Sequence, residues 1–476
     1  MASHESPTLA PRTRRTYVRR RPEETALLRV VRDGFEAFAR DFEARHEGEG
    51  LPRFVQEEFE RFMECGDLSA GLCRFKCSSC GAERLVALSC SGRGFCPSCL
   101  GRRMVERSAH LVDSVFPRLP VRHWILSLPF ELRSRLAWDH ELCRKVLRVF
   151  WRVLEKHLTY TARKLGHANA RSGAVTVIQR VRSSASLHLH FHTLAIDGAF
   201  SVDDDGRFDF HRALEPYPNT LMRMVERIHK GTVRLLGRLD LLCDETGFPE
   251  PDGETETPAM AELYEASVRQ MLTTGPRAGQ KPLRLRSAAS VPPGEKTGKR
   301  SARAGGFDLY ATKAIPKDHR ERLEKVCRYL LRPPIPQERL EYKGKLAILR
   351  LPAPRSDGTT HLCFEPRELV EKLSAMVPRP RTNLLLYQGV LSGNAFMRDR
   401  VIRFGEPPLL STRIEKPRPR RLPLCTPKGP PDLQGDGTRG VSRTHRVGRM
   451  PDRHLRVEWI ERSTVASSAW VVRASL

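Results

Sequence analysis

The cysteines of this chain are concentrated in one short segment. Seven of the twelve fall within 35 residues, between Cys65 and Cys99. Cys77 and Cys80 bracket two residues, and after a gap of fifteen residues Cys96 and Cys99 bracket another two. Two such pairs are typical of a tetrahedral zinc site with four thiolate ligands, in which each pair lies on a tight turn. The sequence therefore predicts a structural zinc ion bound by Cys77, Cys80, Cys96 and Cys99.

Three further cysteines of the segment lie outside these pairs: Cys65, Cys73 and Cys90. They could bind a second zinc ion, although three thiols leave its fourth ligand unidentified, or they could be buried thiols. A closed four-thiolate site has no open coordination position, so its expected role is structural. We expect it to hold a small basic module, with Arg93, Arg102 and Arg103, against a nucleic acid.

The charge of the chain indicates a polyanionic partner. Its 82 Lys and Arg residues outnumber 56 Asp and Glu residues, which gives a net charge of +26 with neutral histidines. Nucleic acid is the first candidate for such a surface. Hydrophobic residues make up 39% of the chain, which excludes wholesale disorder, and no apolar run reaches the roughly 18 residues of a membrane span. With no secretory signal in the sequence, we expect a cytoplasmic, nucleoid-associated protein without a membrane partner.

A second motif is a row of histidines. His188, His190 and His192 alternate with apolar residues. Because the side-chain period of a strand is two, the imidazoles share one face of a strand and the apolar side chains share the other. The β-branched segment 174–181 predicts the partner strand of a hairpin. Neutral imidazoles at alternate positions suit a divalent metal ion, and the alternative is three partly solvated histidines on a sheet face.

A third motif is an amphipathic helix that carries a tyrosine. Asp318 and Glu321 have the spacing of a capping box, and apolar residues then recur at helical intervals up to Leu331. At about 100° per residue, Tyr329 lies off the apolar stripe and on a basic face. Most tyrosines in such a position are ordinary surface residues. Beside a metal-binding histidine row in a basic protein, however, the phenol becomes a candidate nucleophile toward a phosphodiester.

Taken in order, seven short motifs resemble a known family, the zinc-binding HUH transposases of rolling-circle insertion sequences, which include IS91-like elements and their common-region relatives. The resemblance extends from about residue 20 to about residue 403. The motifs lie at residues 64–68, 93–99, 177–180, 190–198, 327–334, 357–359 and 377–387.

This resemblance implies a chemical role for each motif. His190 and His192 would bind a catalytic Mg²⁺ or Mn²⁺ ion, and Tyr329 would attack single-stranded DNA at element ends. The attack would leave a covalent 5′-phosphotyrosine and a free 3′-hydroxyl, and no nucleotide cofactor would be required. We expect the DNA to be positioned by basic residues near the three motifs: Arg93, Arg102, Arg103, Arg180, Arg322, Lys325, Arg328 and Arg332.

The chain also departs from this family at three places, one of which is Gln388 after Tyr387, where relatives usually have histidine. Lys325 stands one helical turn before Tyr329, where some members carry a second tyrosine, so a single-tyrosine scheme is favoured. The sequence after about Gly405 does not match the family. Two alternatives therefore stay open. One is a zinc-ribbon DNA-binding protein, either a regulator or a decayed transposase, without cleavage activity; the other is a replication initiator or relaxase with the same HUH chemistry.

The predicted fold class is α+β. We expect an antiparallel-sheet HUH endonuclease domain backed by helices, preceded by a helical segment and a small zinc-ribbon domain. The expected divisions are a disordered basic N-terminus at 1–22, a helical segment at 23–64, the zinc-binding domain at 65–103, a helical linker region at 104–170, the catalytic domain at 171–403 with a flexible basic loop at 275–306, and a Pro/Arg-rich tail at 404–476.

Overall fold

The computed structural model describes residues 21–77, 83–242, 258–286, 300–405, 455–462 and 469–474. The helices of this part of the chain are α1 (Ala26–Arg45), α2 (Arg53–Met63), α3 (Pro97–Ser114), α4 (Phe130–Trp138), α5 (His140–Leu158), α6 (Tyr160–Lys164), α7 (Pro218–Gly237), α8 (Pro258–Arg269), α9 (Arg320–Leu331), α10 (Pro366–Ser374) and α11 (Arg398–Ile402).

The strands complete a mixed fold in which every described strand pair is antiparallel. They are β1 (Leu72–Cys77), β2 (Glu83–Ala87), β3 (Val121–Ser127), β4 (Gly173–Val181), β5 (Leu187–Ile196), β6 (Gly198–Val202), β7 (Phe208–Arg212), β8 (Leu283–Arg286), β9 (Ser301–Ala304), β10 (Phe307–Ala311), β11 (Leu340–Lys343), β12 (Leu346–Arg350), β13 (Thr359–Phe364), β14 (Leu385–Gly389), β15 (Leu455–Arg462) and β16 (Ala469–Ala474). The predicted α+β class is confirmed.

The largest sheet has six strands in the order β14-β4-β5-β3-β10-β9, so the histidine-bearing strand β5 lies near its centre. The hairpin that joins β4 to β5 is tight. Arg182 donates its backbone N–H to the carbonyl of Ser186 at 3.0 Å, and Ala185 takes a positive φ of 55°. In this register Val177 faces His192 and Gln179 faces His190.

Each face of this sheet is covered by helices. Leu189 and Phe191 are buried in a core that also contains the apolar sides of α5 and α7. On the opposite face, Leu194 and Ile196 belong to a core that includes the ends of α3 and α9. Since side chains alternate along a strand, the three histidines of β5 share the face of Leu194 and Ile196. They therefore lie on the side that carries α9.

The N-terminal helices share a core with the second half of the chain. Apolar residues of α1 and α2 pack with the cysteines of the zinc module, with α10, and with strands of the four-stranded sheet β11-β12-β13-β8. Gly34 of α1 permits this approach, because a Cβ atom there would lie 2.4 Å from the carbonyl carbon of Pro366. No helix in the described ranges is both long and apolar enough to cross a membrane.

Three elements differ from the sequence prediction. Residues 121–127, expected in a helical region, form β3, which pairs with β5 inside the six-stranded sheet. The expected flexible loop at 275–306 is ordered at both ends, where β8 pairs with β13 and β9 pairs with β10, while residues 287–299 lie outside the described ranges. In the tail, β15 pairs with β1 and β16 pairs with β15.

Candidate functional site: a cysteine cluster beside a histidine and tyrosine site

Four buried cysteines come together where α2 ends and α3 begins: Cys65, Cys90, Cys96 and Cys99. The Cys65 sulfur lies 3.7 Å from that of Cys96 and 3.8 Å from that of Cys99, and the sulfurs of Cys90 and Cys99 are 3.4 Å apart. A tetrahedral zinc ion with zinc–sulfur bonds of about 2.3 Å places its ligands about 3.8 Å apart. The four sulfurs therefore already have the spacing of a structural zinc site.

Hydrogen bonds hold the cysteine cluster in place and shift the pKa values of its thiols. The backbone N–H of Gly92 donates to the Cys90 sulfur at 3.3 Å. Hydrogen bonds among the four thiols lower the pKa of Cys65, whereas a hydrogen bond to Cys65 raises the pKa of Cys90 and of Cys96, so Cys65 is the thiolate that its neighbours stabilise. One oxygen of the half-buried Glu58 accepts the N–H of Gly94 at 2.7 Å and ties the metal-binding loop to α2.

The ligand set differs from the predicted one. Cys96 and Cys99 are in the cluster as expected, but their partners are Cys65 and Cys90 rather than Cys77 and Cys80. Cys77 ends β1, and its side chain, like all of Cys80, lies outside the described residues; Cys73 lies buried on β1. Cys96 is the N-cap residue of α3 and Cys99 lies in its first turn, so this predicted pair is part of the cluster, whereas the predicted roles of Cys77 and Cys80 stay predictions.

The histidine row lies on the sheet face that carries α9. His188 and His192 are almost fully buried, and His190 is partly buried between them, with its ring centroid 4.7 Å from that of His192. Burial lowers the pKa of His188 to about 3, of His190 to about 4 and of His192 to about 2. The imidazoles are therefore neutral at pH 7, the form in which histidine binds a metal ion.

Hydrogen bonds fix the rings of the two histidines that the HUH motif names. His190 directs Nδ1 toward the backbone carbonyl of His188 at 2.7 Å, which leaves its Nε2 lone pair available. His192 lies between two neighbours, with Nε2 at 3.0 Å from Oε1 of Gln179 and Nδ1 at 2.9 Å from Nε2 of His123. His190, His192 and Gln179 thus present nitrogen and oxygen donors on one face.

His123 was not found from the sequence. It lies on β3, it is buried, and burial lowers its pKa to about 4. A signal for it exists, because Val121–Ser127 is a short segment with β-branched and aromatic residues (Val121, Trp124 and Ile125) between prolines at 120 and 129, which is typical of a strand. In the described residues the cysteine cluster is the one group of three or more His, Cys, Asp or Glu ligands within 4.8 Å of one another, so the histidine face does not form such a group by itself.

Tyr329 lies in the last turn of α9, close to the histidine row. Its ring centroid is 6.3 Å from that of His192, and its side chain is 48% exposed, so solvent and substrate can reach the phenol. The guanidinium carbon of Arg332 lies 4.3 Å from the centre of the Tyr329 ring. Although α9 has the predicted apolar stripe, it starts at Arg320, and the predicted side-chain cap from Asp318 is not formed, because the N-cap residue is His319.

A cleft of about 480 Å³ lies beside this group and is lined from three directions. The start of α3 and the loop before it form one wall, the end of β4 with Gln179 forms another, and residues 330–334 at the end of α9 form the third. One glutamate, Glu106, lines the cleft. Seven arginines also line the cleft: Arg93, Arg102, Arg103, Arg107, Arg180, Arg182 and Arg332.

Three arginines of the zinc module were expected to contact DNA, and each makes its own contact within the protein. Arg103 donates to the carbonyl oxygens of Gly92 and Ser91 at 2.8 and 2.6 Å, and it is partly exposed. Arg93 donates to the backbone carbonyl of Thr382. Arg102 is exposed, and its guanidinium lies 3.4 Å from the hydroxyl of Ser89.

On α9, Arg322, Lys325 and Arg328 are exposed and do not line the cleft. Arg328 forms an ion pair with Glu324 at 2.6 Å.

Arg180, also expected to contact DNA, is bonded within the protein. It is 6% exposed, and its guanidinium bonds to the backbone carbonyls of Ala137 at 2.5 Å and Ala375 at 3.4 Å. It also lies 5.7 Å from the centre of the Tyr264 ring. Arg180 lines the cleft, but both terminal nitrogens of its guanidinium are hydrogen-bonded within the protein, and its contact with DNA stays a prediction. The sequence could not reveal these bonds, since all of these partners are distant along the chain.

Helix α3 connects the cysteine cluster to the tyrosine helix. It begins with Pro97, between Cys96 and Cys99, and it packs along α9. At its other end Arg320 of α9 donates to the backbone carbonyls of Val112, Phe116 and Pro117, the last two at 3.0 Å. These bonds satisfy carbonyls that a helix end leaves open.

Two family models match this chain, one over the zinc module and one over the part that holds the histidine row and Tyr329. A family model described as "Transposase zinc-binding domain" matches residues 34–128. A second model, described as "Putative transposase", matches residues 173–398, which hold β4, β5 and α9. No curated protein and no solved structure matches the chain. The two family models, in this order along one chain, show that the protein belongs to the IS91-like transposase family.

Proposed function

We propose that this transposase nicks and rejoins single DNA strands at element ends through a covalent bond to Tyr329. Membership of the family implies that the protein binds and cleaves DNA. The observation that carries the proposal is the position of Tyr329, which is exposed and whose ring lies 6.3 Å from that of His192. The next residue of its helix, Leu330, lines the arginine-lined cleft, as does Arg332, whose guanidinium lies over the Tyr329 ring. Nucleophile, metal-binding imidazoles and phosphate-binding cations would thus act on one phosphodiester.

In the proposed step, the Tyr329 oxygen attacks the phosphorus of the scissile phosphodiester. A bond forms between the tyrosine oxygen and phosphorus, and the bond from phosphorus to the 3′ oxygen breaks. The phenol loses its proton and the departing 3′ oxygen gains one, so the products are a 5′-phosphotyrosine and a 3′-hydroxyl. The phosphodiester energy is kept for rejoining, because a later hydroxyl can displace the tyrosine by the same reaction.

The residues that would hold a catalytic Mg²⁺ or Mn²⁺ ion are His190 and His192, with the amide oxygen of Gln179 as a third donor. The donor set fits a divalent cation, because both imidazoles are neutral and Gln179 Oε1 already lies 3.0 Å from His192 Nε2. When bound, such an ion supplies positive charge that polarises the phosphate. His123 positions the ring of His192 through its contact with Nδ1.

Arg332 lies beside the proposed nucleophile, with its guanidinium carbon 4.3 Å from the centre of the tyrosine ring. It lines the cleft, whereas Lys325, one helical turn before Tyr329, does not. A guanidinium at this point would neutralise the phosphate as charge develops on it. With Lys325 in place of a second tyrosine, we propose one tyrosine for each nick.

Structural zinc would serve this reaction indirectly. The cysteine cluster holds the start of α3, and α3 supplies Arg102, Arg103 and Arg107 to the cleft wall. Arginine is suited to such a wall because its planar fork binds phosphate oxygens in pairs. The zinc module would thus form one side of the path of the DNA strand.

The test is a covalent-adduct assay. Full-length protein is incubated with labelled single-stranded element-end DNA and Mn²⁺, and the products are separated on a denaturing gel. We expect a slowly migrating protein–DNA band for the wild type, none for Tyr329→Phe, and an undiminished band for Tyr342→Phe, which replaces a tyrosine of β11 whose hydroxyl donates to Asp33 of α1. An equal band from Tyr329→Phe would refute the assignment. DNA binding with no band from any of the proteins would favour a binding protein without cleavage activity.

A further inference from the structure

A second basic groove lies next to the cleft, and none of its residues takes part in the proposed reaction. It has a volume of about 860 Å³ and is formed by the start of α5 and by residues 379–382. One acidic residue lines it, Glu141, which pairs with Lys145 at 3.1 Å. The cations that line the groove are Arg144, Lys145, Arg148, Arg379 and Arg381.

Two of these cations come from the outer face of α5. Its apolar face is buried through residues such as Leu142 and Val146, so Arg144 and Arg148, four residues apart, point outward together. Neither arginine has an ion-pair partner in the part of the chain that the structure describes. A charged face on a helix is by itself an ordinary solvated surface, so the argument depends on the segment opposite.

The opposite wall of the groove carries two arginines. The guanidinium carbon of Arg379 lies 4.2 Å from the ring centre of Trp138. Arg381, two residues further on, is exposed and has a φ of +61°, a backbone conformation that is uncommon outside glycine. His140 also lines the groove, and its buried Nε2 has no hydrogen-bond partner among the described residues. A wall with two arginines, one of them stacked on Trp138, therefore faces the arginines of α5.

The groove and the cleft adjoin each other. Thr382 lines the groove, and the next residue, Asn383, lines the cleft. Arg93 lines the cleft as well, and it donates to the Thr382 carbonyl. Two consecutive residues thus line the two cavities, and the zinc module is hydrogen-bonded to the chain at that point.

We propose that this groove binds the sugar–phosphate backbone of the single DNA strand where the strand leaves the cleft. Arginine side chains on both walls suit phosphate oxygens, and such contacts need no particular base sequence. The proposal rests on the proposed function only in taking the occupant to be the strand that the cleft holds. Binding in the groove requires neither Tyr329 nor a catalytic metal ion.

The experiment measures binding without cleavage. Fluorescence anisotropy of labelled single strands is followed against salt concentration, with full-length zinc-bound protein and no added Mg²⁺ or Mn²⁺. The variant is Arg144→Gln with Arg148→Gln. We expect its affinity for a long strand to fall on the order of tenfold at moderate salt and its salt slope to become shallower by about 1.4, which corresponds to two lost phosphate contacts. Affinity for a short strand of about 6 nucleotides, enough for the cleft, should stay unchanged.

A matched control is Arg223→Gln with Arg227→Gln, which removes two exposed arginines with the same spacing from α7, outside the groove. The control should bind like the wild type. The proposal is overturned if the α5 variant binds the long strand as the wild type does, or if the α7 control loses as much. It is also overturned if the α5 variant loses affinity for a duplex of the same sequence but not for the single strand. Because no adduct is measured, a failure of the tyrosine chemistry would leave these results unaffected.

Discussion

The ring of Tyr329 stands almost perpendicular to the ring of His192, with an angle of 84° between the planes and 6.3 Å between the centroids. The two residues are 137 positions apart in the sequence and come from different layers of the fold, a helix and the central sheet. The guanidinium carbon of Arg332 lies 4.3 Å from the centre of the Tyr329 ring. The proposed chemistry depends on this group of three.

Replacing Arg332 should slow the nick without disturbing the fold. We expect Arg332→Gln to lower the initial rate of adduct formation by about 10²-fold, the usual effect of removing one group that stabilises transition-state charge. Arg328→Gln is the matched control, because Arg328 lies on α9 outside the cleft and pairs with Glu324. Rates are read from the adduct band over time at saturating DNA. Equal rates for the two variants would contradict the proposed role of Arg332 in the nick.

Replacing His123 should weaken the binding of the catalytic metal ion. His123 Nε2 lies 2.9 Å from His192 Nδ1, so His123→Phe leaves the His192 ring without the contact that orients it. Loss of such a partner typically costs 10- to 100-fold, and we expect the Mn²⁺ concentration for half-maximal adduct to rise by about that factor.

The control for His123 is His157→Phe. His157 is a partly buried histidine, whose ring packs at 5.6 Å from that of Trp124 and whose Nε2 has no hydrogen-bond partner among the described residues. Its replacement should leave the Mn²⁺ dependence unchanged. A uniform loss of activity in His123→Phe that added Mn²⁺ does not relieve would mean that His123 only supports the fold.

The zinc ligands can be identified by metal content. Cys90→Ala should lower the zinc bound per chain by one equivalent, because the Cys90 sulfur lies 3.4 Å from that of Cys99 within the cluster of four. Cys363→Ala, which removes a buried thiol from β13, should retain all of its zinc. Zinc is measured by atomic emission on purified protein. Full zinc content in Cys90→Ala would contradict the ligand set.

Acid should destabilise the protein through its buried histidines. His188 accepts a hydrogen bond from Arg182 at 3.0 Å, and burial lowers its pKa to about 3 from about 6.5 in the unfolded chain. The unfolded state therefore binds a proton first as pH falls below about 6.5, and stability drops by about 1.4 kcal/mol per pH unit until pH about 3. Above pH 6.5 this contribution is fully present.

Urea unfolding followed by circular dichroism between pH 4.5 and 7.5 checks this effect. His188→Gln keeps an acceptor for Arg182 and removes the titrating group, so its stability should fall less steeply with acid than that of the wild type. The difference between the two proteins isolates this histidine from the cysteine thiolates, which also protonate in acid. Parallel curves for the two proteins would contradict the prediction.

The contact between α3 and α9 should be measurable as stability. Arg320→Ala removes the donors to Val112, Phe116 and Pro117, and leaving such carbonyls unsatisfied costs about 1–3 kcal/mol. Arg322→Ala, two positions further along α9, removes an exposed cation and should change the free energy of unfolding by less than about 0.5 kcal/mol. A similar loss in both variants would mean that the bonds of Arg320 do not stabilise the interface.

The features that sequence predicted best are those set by local periodicity. The alternation around His190 predicts a strand with one imidazole face, and the stripe from Leu323 predicts the helix that exposes Tyr329; β5 and α9 have both properties. These patterns hold because side-chain direction within a strand or helix depends on the local backbone alone. The family resemblance identified from ordered motifs is likewise confirmed by the two family models.

Features that depend on distant contacts were not predictable. Cys65 and Cys90 meet Cys96 only because α2 and α3 are packed together, whereas spacing pointed to Cys77 and Cys80. His123 joins the site only because β3 pairs with β5, about seventy residues later in the chain. In both cases, the missing information was the pairing of segments, which short-range residue patterns do not contain.

The continuity of α3 limits where zinc modules can be exchanged between related proteins. The sequence suggests a boundary at residue 103 between the zinc module and the rest, but α3 runs from Pro97 to Ser114 without interruption. A chimera joined at 103 would divide a single helix between two parents. Exchange of zinc modules between relatives must therefore carry the chain through Ser114, together with a matching surface on α9, so the metal-binding end and the tyrosine-bearing end are inherited as one unit.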